Sequence, residues 1–160
     1  MAIFLKLGDI KGETTQLTHK EWIEMTSVQW GVGRGVSSGV GGGSKREATA
    51  PSVSEVTLSK TFDISSPLLL KSALGGYGAV DAKIELTQTD NSGKHVSYQK
   101  YILYGTVMSG YSVSSGGDRP SESISLNFTK VDSEYLNIDA KFQSKTTGHV
   151  VYDIAESKLS

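Results

Sequence analysis

The chain has 160 residues, 37% hydrophobic and 21% charged, which is enough for one folded domain spanning residues 1–160. Its net charge is −1, so it has no basic excess to hold a phosphate backbone, and we expect no nucleic-acid partner. Cysteine is absent, which excludes disulfides, thiolate metal sites and thiol nucleophiles.

The first residues do not have the pattern of a signal peptide. Only five consecutive apolar residues precede Lys6, with no basic region before them and no small-residue cleavage site after them. No apolar run approaches the length of a membrane span. We therefore expect cytoplasmic synthesis, no membrane insertion and, if the protein is exported, a dedicated export route.

Alternation of apolar and polar residues predicts several β-strands, each with one buried face and one wet face. The predicted strands lie near residues 3–7, 28–32, 56–62, 80–86 and 123–129. Many strands joined by turn-rich connections indicate a mainly β protein, either a sandwich or a barrel.

The segment 96–113 is too long for an ordinary strand, and its apolar residues change from even to odd positions along it. A bulge at or near Gly105 would exchange the two faces and bend the strand, as a barrel corner requires. The turn predicted at residues 90–94 makes 79–104 a hairpin.

One short helix is predicted after the strand at 56–62. Ser66 is the expected N-cap, Pro67 suits the first helical position, and Gly75-Gly76 ends the helix. Because the residues between are very apolar, with Leu69 and Leu70 among them, we expect this helix to be largely covered, either by the fold or by another subunit.

The segment 31–51 contains seven of the chain's 18 glycines and is predicted to be one long protruding loop. Loops above roughly 12–15 residues are usually functional or disordered. Fixing such a loop costs roughly 1–2 kcal/mol per residue, and this one has few apolar side chains to bury. We expect it either to stay mobile or to be held by something outside the subunit.

The glycines do not match a phosphate-binding motif. A P-loop needs glycine directly before its lysine, and here Ser44 precedes Lys45. A dinucleotide fingerprint needs its third glycine where this chain has Val36 or Ser44. We predict no nucleotide and no other cofactor.

Catalytic signals are equally weak. Ser37 lies in a Gly-x-Ser-x-Gly pattern, but this nucleophile motif needs a strand-to-helix turn, and the match is expected by chance in Gly/Ser-rich sequence. We interpret His19, His95 and His149 as solvated surface residues, with no local metal-ligand spacing. The acidic residues are interpreted as partners of lysines across polar strand faces.

Four segments, in order, resemble the haemolysin-coregulated protein (Hcp) family, which forms the inner tube of bacterial type VI secretion systems. They are residues 4–13 (FLKLGDIKGE), 28–31 (VQWG) leading into the Gly-rich loop, 58–67 (LSKTFDISSP) and 117–131 (GDRPSESISLNFTKV).

The resemblance implies a two-sheet antiparallel β-barrel with one short α-helix at its side. It implies that six copies close into a ring with an open channel and that rings stack into a tube. A contracting sheath would drive the tube out, a spike trimer would cap it, and effector proteins would travel in its channel. The family is not enzymatic by itself, and its own machine secretes it without a signal peptide.

By the same resemblance, the Gly-rich loop contacts the neighbouring ring. The candidate stacking residues are Gly33, Arg34, Gly41, Gly42, Gly43, Lys45, Arg46 and Glu47. Pro67, Leu69 and Leu70 are expected to have a structural role in the helix.

Two other classes of function stay open at this point. One is a monomeric β-barrel that binds a small apolar ligand, with the helix over residues 67–74 as its lid. The other is a small hydrolase that uses Ser37 or a histidine-bound metal.

Overall fold

The structure is a computed structural model, which describes residues 1–39 and 46–160. It is mainly β, with antiparallel pairing throughout and one short helix, α1, at Ser66–Ala73. The strands are β1 Ala2–Leu7, β2 Ile23–Met25, β3 Ser27–Gln29, β4 Val32–Gly33, β5 Val36–Ser38, β6 Arg46–Ala48, β7 Ser52–Val53, β8 Val56–Thr61, β9 Val80–Thr89, β10 His95–Ser114, β11 Ser121–Asn127, β12 Lys130–Ile138, β13 Ser144–Asp153 and β14 Lys158–Leu159.

Two sheets form the body of the molecule. The first has the order β2-β1-β9-β10-β12-β13-β14, and the second has the order β10-β11-β8-β3. The predicted hairpin at 79–104 is confirmed as β9 and β10, joined by a turn in which the Asp90 backbone N–H donates to the Lys94 carbonyl at 2.9 Å.

The 20-residue strand β10 belongs to both sheets. Up to Thr106 it pairs with β9 and β12, and from Val107 it pairs with β11. The change occurs at Gly105, whose φ of +58° is a left-handed conformation that favours glycine. A Cβ at this position would lie 2.8 Å from Thr129 Oγ1. The predicted bulge at Gly105 is therefore confirmed, and it turns the chain from one sheet into the other.

A second crossing between the sheets occurs at Thr26. β2 pairs with β1 in the first sheet, and β3, which follows Thr26, pairs with β8 in the second. The Thr26 backbone N–H donates to the Ser59 carbonyl at 2.7 Å. The predicted strand at 28–32 is not continuous, because β3 ends at Gln29 and the chain then leaves the sheet.

The hydrophobic core lies between the two sheets. Leu5, Ile84 and Leu103 from the first sheet and Leu58 and Ile124 from the second are completely buried. Each such side chain contributes roughly 1.5–3 kcal/mol relative to an exposed position. The period-2 pattern identified the inward positions of Leu5, Leu58, Ile84 and Ile124 correctly, but the even positions that it selected before Gly105 were wrong for β10, where Leu103 is the buried residue.

The outer face of the first sheet is not fully exposed to solvent, although the alternation of apolar and polar residues predicts that it is. Phe4 and Thr87, predicted to face water, are 1% and 0% exposed. The segment between β1 and β2 lies over Phe4, since the His19 ring stacks on Phe4 at 4.5 Å between centroids, and Thr87 Oγ1 lies 3.0 Å from His95 Nδ1. The interpretation of His19 as a surface residue is wrong, since it is only 2% exposed.

The buried His19 is bound to a carboxylate. Its Nε2 lies 2.8 Å from Glu85 Oε2, and Ser97 Oγ also donates to Glu85. Burial acts to raise the pKa of Glu85, but these hydrogen bonds and the nearby Lys100 outweigh it and hold the pKa below its usual value. Glu85 therefore stabilises the fold at neutral pH, and this contribution is lost as the pH falls through the lowered pKa.

Helix α1 lies against β10 and begins one residue earlier than predicted. The N-cap is Ser65, not Ser66, and the Ser66 side chain accepts the Asp63 N–H and donates to Glu122. Gly75, with φ +84°, follows the helix as predicted. The fold covers the helix only in part, since Leu69 is buried while Leu70 and Leu74 are 43% and 79% exposed, and its coverage by another subunit stays a prediction.

This orientation predicts different costs for two neighbouring leucines. Leu69→Ala should lower the free energy of unfolding by about 2–5 kcal/mol, because it leaves a cavity in the core. Leu70→Ala is the matched control and should cost about 1 kcal/mol or less, because its side chain is already half in water. Urea unfolding of both variants measures the difference. Equal costs would contradict the orientation of the helix described here.

Candidate assembly interface

The segment 31–51, which we call the arm, is a two-stranded ribbon where the structure describes it. β4 pairs with β7, and β5 pairs with β6 in the register Ser37 opposite Glu47 and Ser38 opposite Arg46. The prediction of a structureless loop is therefore wrong for this part of the arm. Pairing supplies backbone hydrogen bonds that offset some of the ordering entropy.

Only the base of the arm faces the body of the protein. Every described residue from Gly31 to Ala50 is exposed. The contacts that shape it are internal: Arg34 Nε donates to the Thr49 carbonyl at 3.1 Å, and the Gly35 N–H donates to Thr49 Oγ1 at 2.9 Å. Hydrogen bonds between its own two sides thus hold the ribbon together, and its described residues remain exposed to solvent.

The candidate stacking residues divide into two groups. Gly33, Arg34, Arg46 and Glu47 lie on this exposed ribbon. Gly41, Gly42, Gly43 and Lys45 lie outside the described residues. Their role in stacking stays a prediction for both groups.

A groove of 510 Å³ lies at the opposite end of β8 from the arm, and we call it the end groove. Its lining carries three carboxylates and one guanidinium, from Glu13, Glu24, Asp63 and Arg119. Asp63 is neutralised by Lys60, whose Nζ lies 2.8 Å from Asp63 Oδ1. Among the described residues, neither Glu13 nor Glu24 forms an ion pair with a basic side chain. Glu13 accepts a hydrogen bond from the Ile64 N–H.

An apolar cleft of 390 Å³ lies where the arm joins the body, between its base and the edge of the first sheet. Val32 from the arm base and Val53 from β7, just after the arm, face Val150 and Leu159 from β13 and β14 across it. Val32, Val150 and Leu159 are each at least half exposed. Exposed aliphatic side chains clustered in this way are typical of a surface that another protein covers.

Behind the end groove, a buried polar cluster joins the helix to the second sheet. Lys60 on β8 and Glu122 on β11 stand opposite each other, and both are 1% exposed. Lys60 Nζ lies 3.5 Å from Glu122 Oε2, and Ser66 Oγ donates to the same carboxylate oxygen at 2.6 Å. Burial and the Glu122 carboxylate together raise the pKa of Tyr111.

Sequence reasoning missed this cluster, although a signal was present. Lys60 and Glu122 share the even parity of their buried neighbours Leu58 and Ile124, so the alternation itself places both charges on the inward face. The general reading of acidic residues as surface partners of lysines is wrong for this pair. Two opposite charges at paired strand positions can be buried together where neither could be buried alone.

The structure does not bring Ser37 and the histidines together into a hydrolase site or a metal site. Ser37 lies on the exposed strand β5, while the three histidines have partners elsewhere, in Glu85, Thr87 and Asp132. Within residues 1–39 and 46–160, no three His, Cys, Asp or Glu side chains come together in a way that could hold a metal. In the same ranges, no helix is long and apolar enough to cross a membrane.

Comparison with known proteins gives the family. The profile described as "Type VI secretion system effector, Hcp" matches residues 4–135. The chain belongs to the Hcp family. Members of this family are secreted proteins of the type VI secretion system, which confirms the resemblance stated from the four sequence segments.

Individual relatives agree with this placement. Protein hcp1 of Pseudomonas aeruginosa is 31% identical over 137 residues, covering 83% of this chain and 82% of that protein. A solved type six secretion system protein superposes with a TM-score of 0.88 at 24% identity, covering 99% of both chains. Hcp1 from Salmonella typhimurium has a TM-score of 0.75 at 25% identity, covering 99% and 98%. The Hcp fold therefore extends beyond residue 135 into β13 and β14.

The buried pair predicts a strong asymmetry between two lysines. Lys60→Met should lower the free energy of unfolding by about 3–5 kcal/mol, because it leaves the buried Glu122, and also Asp63, without the cation that they share. Lys11→Met is the control: it breaks the Lys11–Glu21 pair, whose side chains are 67% and 53% exposed, and should cost less than about 1 kcal/mol.

Urea unfolding of these two variants and of Lys60→Met combined with Glu122→Leu tests the pair. The double variant should recover part of the loss, since it removes Glu122, the more deeply buried of the two carboxylates left without a cation. If it is no more stable than Lys60→Met alone, the pair is not what holds this region together.

Proposed function

We propose that the chain is a structural subunit of the type VI secretion inner tube. Six copies close into a ring with an open channel, and rings stack into a tube that carries effector proteins and is expelled by sheath contraction. The spike trimer and the sheath are its further partners. Membership of the Hcp family supports this proposal, and the exposed arm is the observation that carries it.

The arm supports assembly for an energetic reason. Beyond its base, the described ribbon is exposed and gains little stabilisation from the body, so a protein that keeps it has a use for it outside its own body. Its described hydrogen bonds either join the two sides of the ribbon at Thr49 or close its base, where the Gly31 N–H donates to Ser54 Oγ at 2.8 Å. Contact with a second subunit supplies the missing buried surface.

The free strand edges support closure into a ring. β2 and β14 are the terminal strands of the first sheet and β3 is a terminal strand of the second, so backbone groups at different edges remain available. A ring is a heterologous assembly in which one edge of each copy meets a different edge of the next. The apolar cleft beside β14 adds exposed aliphatic surface to one of these edges.

The outer face of the second sheet suits a channel wall. Side chains with hydroxyl groups occupy the outward positions of paired strands. They are Thr57, Ser59, Thr61, Ser112, Ser114, Ser121, Ser123 and Ser125. A wall of short, uncharged hydroxyl groups stays hydrated and offers cargo no large apolar patch to bind. This composition supports transient passage of folded effectors.

The apolar cleft is the observation that favours the rival function, a monomeric ligand-binding barrel. Against that role, the space between the sheets is filled by buried side chains such as Leu58 and Leu103. Leu69 also packs into this core, so the helix does not act as a lid over a cavity.

Native mass spectrometry separates the two functions. A tube subunit should give a species of six times the 17.1 kDa chain mass at micromolar concentration, whereas a ligand barrel should remain at the mass of one chain. A monomer that persists across this concentration range would overturn the proposal.

A further inference from the structure

We propose that a pocket on the outer face of the first sheet binds an acidic peptide segment of another protein, which inserts one large apolar side chain while the carboxylates beside it bind lysines at the rim. The pocket, which we call the hairpin pocket, has a volume of 430 Å³. It lies between the β9–β10 turn and the turn at 139–143 that joins β12 to β13. Its described lining residues belong neither to the arm nor to the end groove, so the inference goes beyond the proposed tube function and does not rest on it.

The floor of the hairpin pocket is apolar. Leu136 on β12 is 8% exposed, and it lines the pocket together with Val96 on β10 and Phe142 in the turn at 139–143. Burial of apolar area is the main source of affinity at a surface pocket, and a few large side chains usually supply it. The floor therefore favours a partner that presents one large apolar side chain.

Phe142 keeps its ring at the pocket at a cost to the backbone. Its φ of +55° is in the left-handed region, which bulky L residues rarely adopt. The turn enforces this conformation, because Asp139 Oδ1 accepts hydrogen bonds from the Lys141 N–H at 2.8 Å and the Gln143 N–H at 2.9 Å. Glycine would adopt the same conformation without strain. An aromatic residue at this position indicates a use for its ring, since strained residues are concentrated at functional and ligand-binding sites.

The rim of the hairpin pocket is positively charged. Lys94 after the β9–β10 turn and Lys100 on β10 both line it. Within residues 1–39 and 46–160, Lys94 forms no ion pair. Lys100 Nζ lies 4.0 Å from Glu85 Oε1. The other oxygen of Glu85 is already bound by His19 and Ser97. The rim is therefore complementary in charge to acidic side chains of a partner.

His95, which also lines the pocket, offers a hydrogen-bond acceptor in a fixed direction. Thr87 donates its one hydroxyl proton to the Ala2 carbonyl at 3.1 Å, so His95 Nδ1 donates to Thr87 Oγ1 at 3.0 Å. The His95 ring also packs edge-on against Phe4, with 5.3 Å between centroids. In the neutral imidazole, Nε2 is then an acceptor, and it forms no hydrogen bond in the part of the chain that the structure describes.

These groups together favour a peptide over a small anion. The floor accepts an apolar side chain, the lysines at the rim accept carboxylates, and His95 Nε2 accepts an N–H group. A small carboxylate with an apolar body supplies the first two features but has no N–H to donate. A peptide segment with one large apolar residue between acidic ones supplies all three.

Fluorescence anisotropy with a labelled, end-blocked peptide of sequence Asp-Glu-Phe-Glu-Asp tests the ligand class. The wild-type protein should bind it saturably in the micromolar range. A peptide with alanine in place of phenylalanine, and one with lysines in place of the acidic residues, should each bind about tenfold more weakly or worse. 3-Phenylpropionate, the small carboxylate, should not displace the peptide at an equal concentration.

Two lysines test where the peptide binds. Lys94→Glu should weaken binding about tenfold or more, because it reverses a charge at the rim. Lys158→Glu is the control, since it makes the same change of charge at an exposed position of β14, at the other end of β13 from Ser144. Its affinity for the peptide should equal that of the wild type.

Phe142→Gly separates a binding role from a structural one. It should weaken binding of the peptide about tenfold, because it removes the ring from the floor. Its melting temperature should be unchanged or higher, because glycine relieves the left-handed backbone. A residue with only a structural role would give the opposite result, a lower melting temperature with unaltered affinity.

Four outcomes would overturn the hairpin pocket as a peptide site. They are no saturable binding by the wild type, equal binding of the lysine peptide or of 3-phenylpropionate, equal losses in Lys94→Glu and Lys158→Glu, and unaltered affinity in Phe142→Gly. The tube function is tested separately by native mass. Rings that do not bind the peptide would overturn only the pocket, and a monomer that binds it would overturn only the tube function.

Discussion

The fold depends on one backbone constraint, the turn of β10 at Gly105. A single 20-residue strand pairs with β9 and β12 on one side of this residue and with β11 on the other. Only a residue without a Cβ combines a φ of +58° with the close approach of Thr129. Because both sheets share β10, this corner fixes how they enclose the core and directs the polar face of the second sheet outwards.

The buried pair of Lys60 and Glu122 secures the same second sheet from within. It joins β8 to β11 and, through Ser66, ties the start of the helix to both strands. A buried ion pair is not a strong source of stability by comparison with apolar packing, but breaking it is costly. It therefore acts mainly to specify one arrangement of helix and sheet, at the end of the molecule where the end groove opens.

Local patterns predicted those parts of the fold that local physics decides. Period-2 alternation identified the inward faces around Leu58 and Ile84, and the change of parity together with a glycine identified the corner at Gly105. The prediction failed where a distant segment covers a face, as with Phe4 and His19, since no local pattern records that the chain returns over the sheet. The ribbon pairing of the arm was missed because Gly/Ser-rich sequence has no apolar alternation to read.

The candidate interface was predictable only in part. Family resemblance pointed to the arm and to its charges, but the end groove is assembled from four separate parts of the chain and has no sequence signature. The central claim is that copies of this chain form open rings, and electron microscopy of the purified protein tests it most directly. The account predicts ring-shaped particles with a central opening and six-fold symmetry. Uniform compact particles with no opening would contradict it.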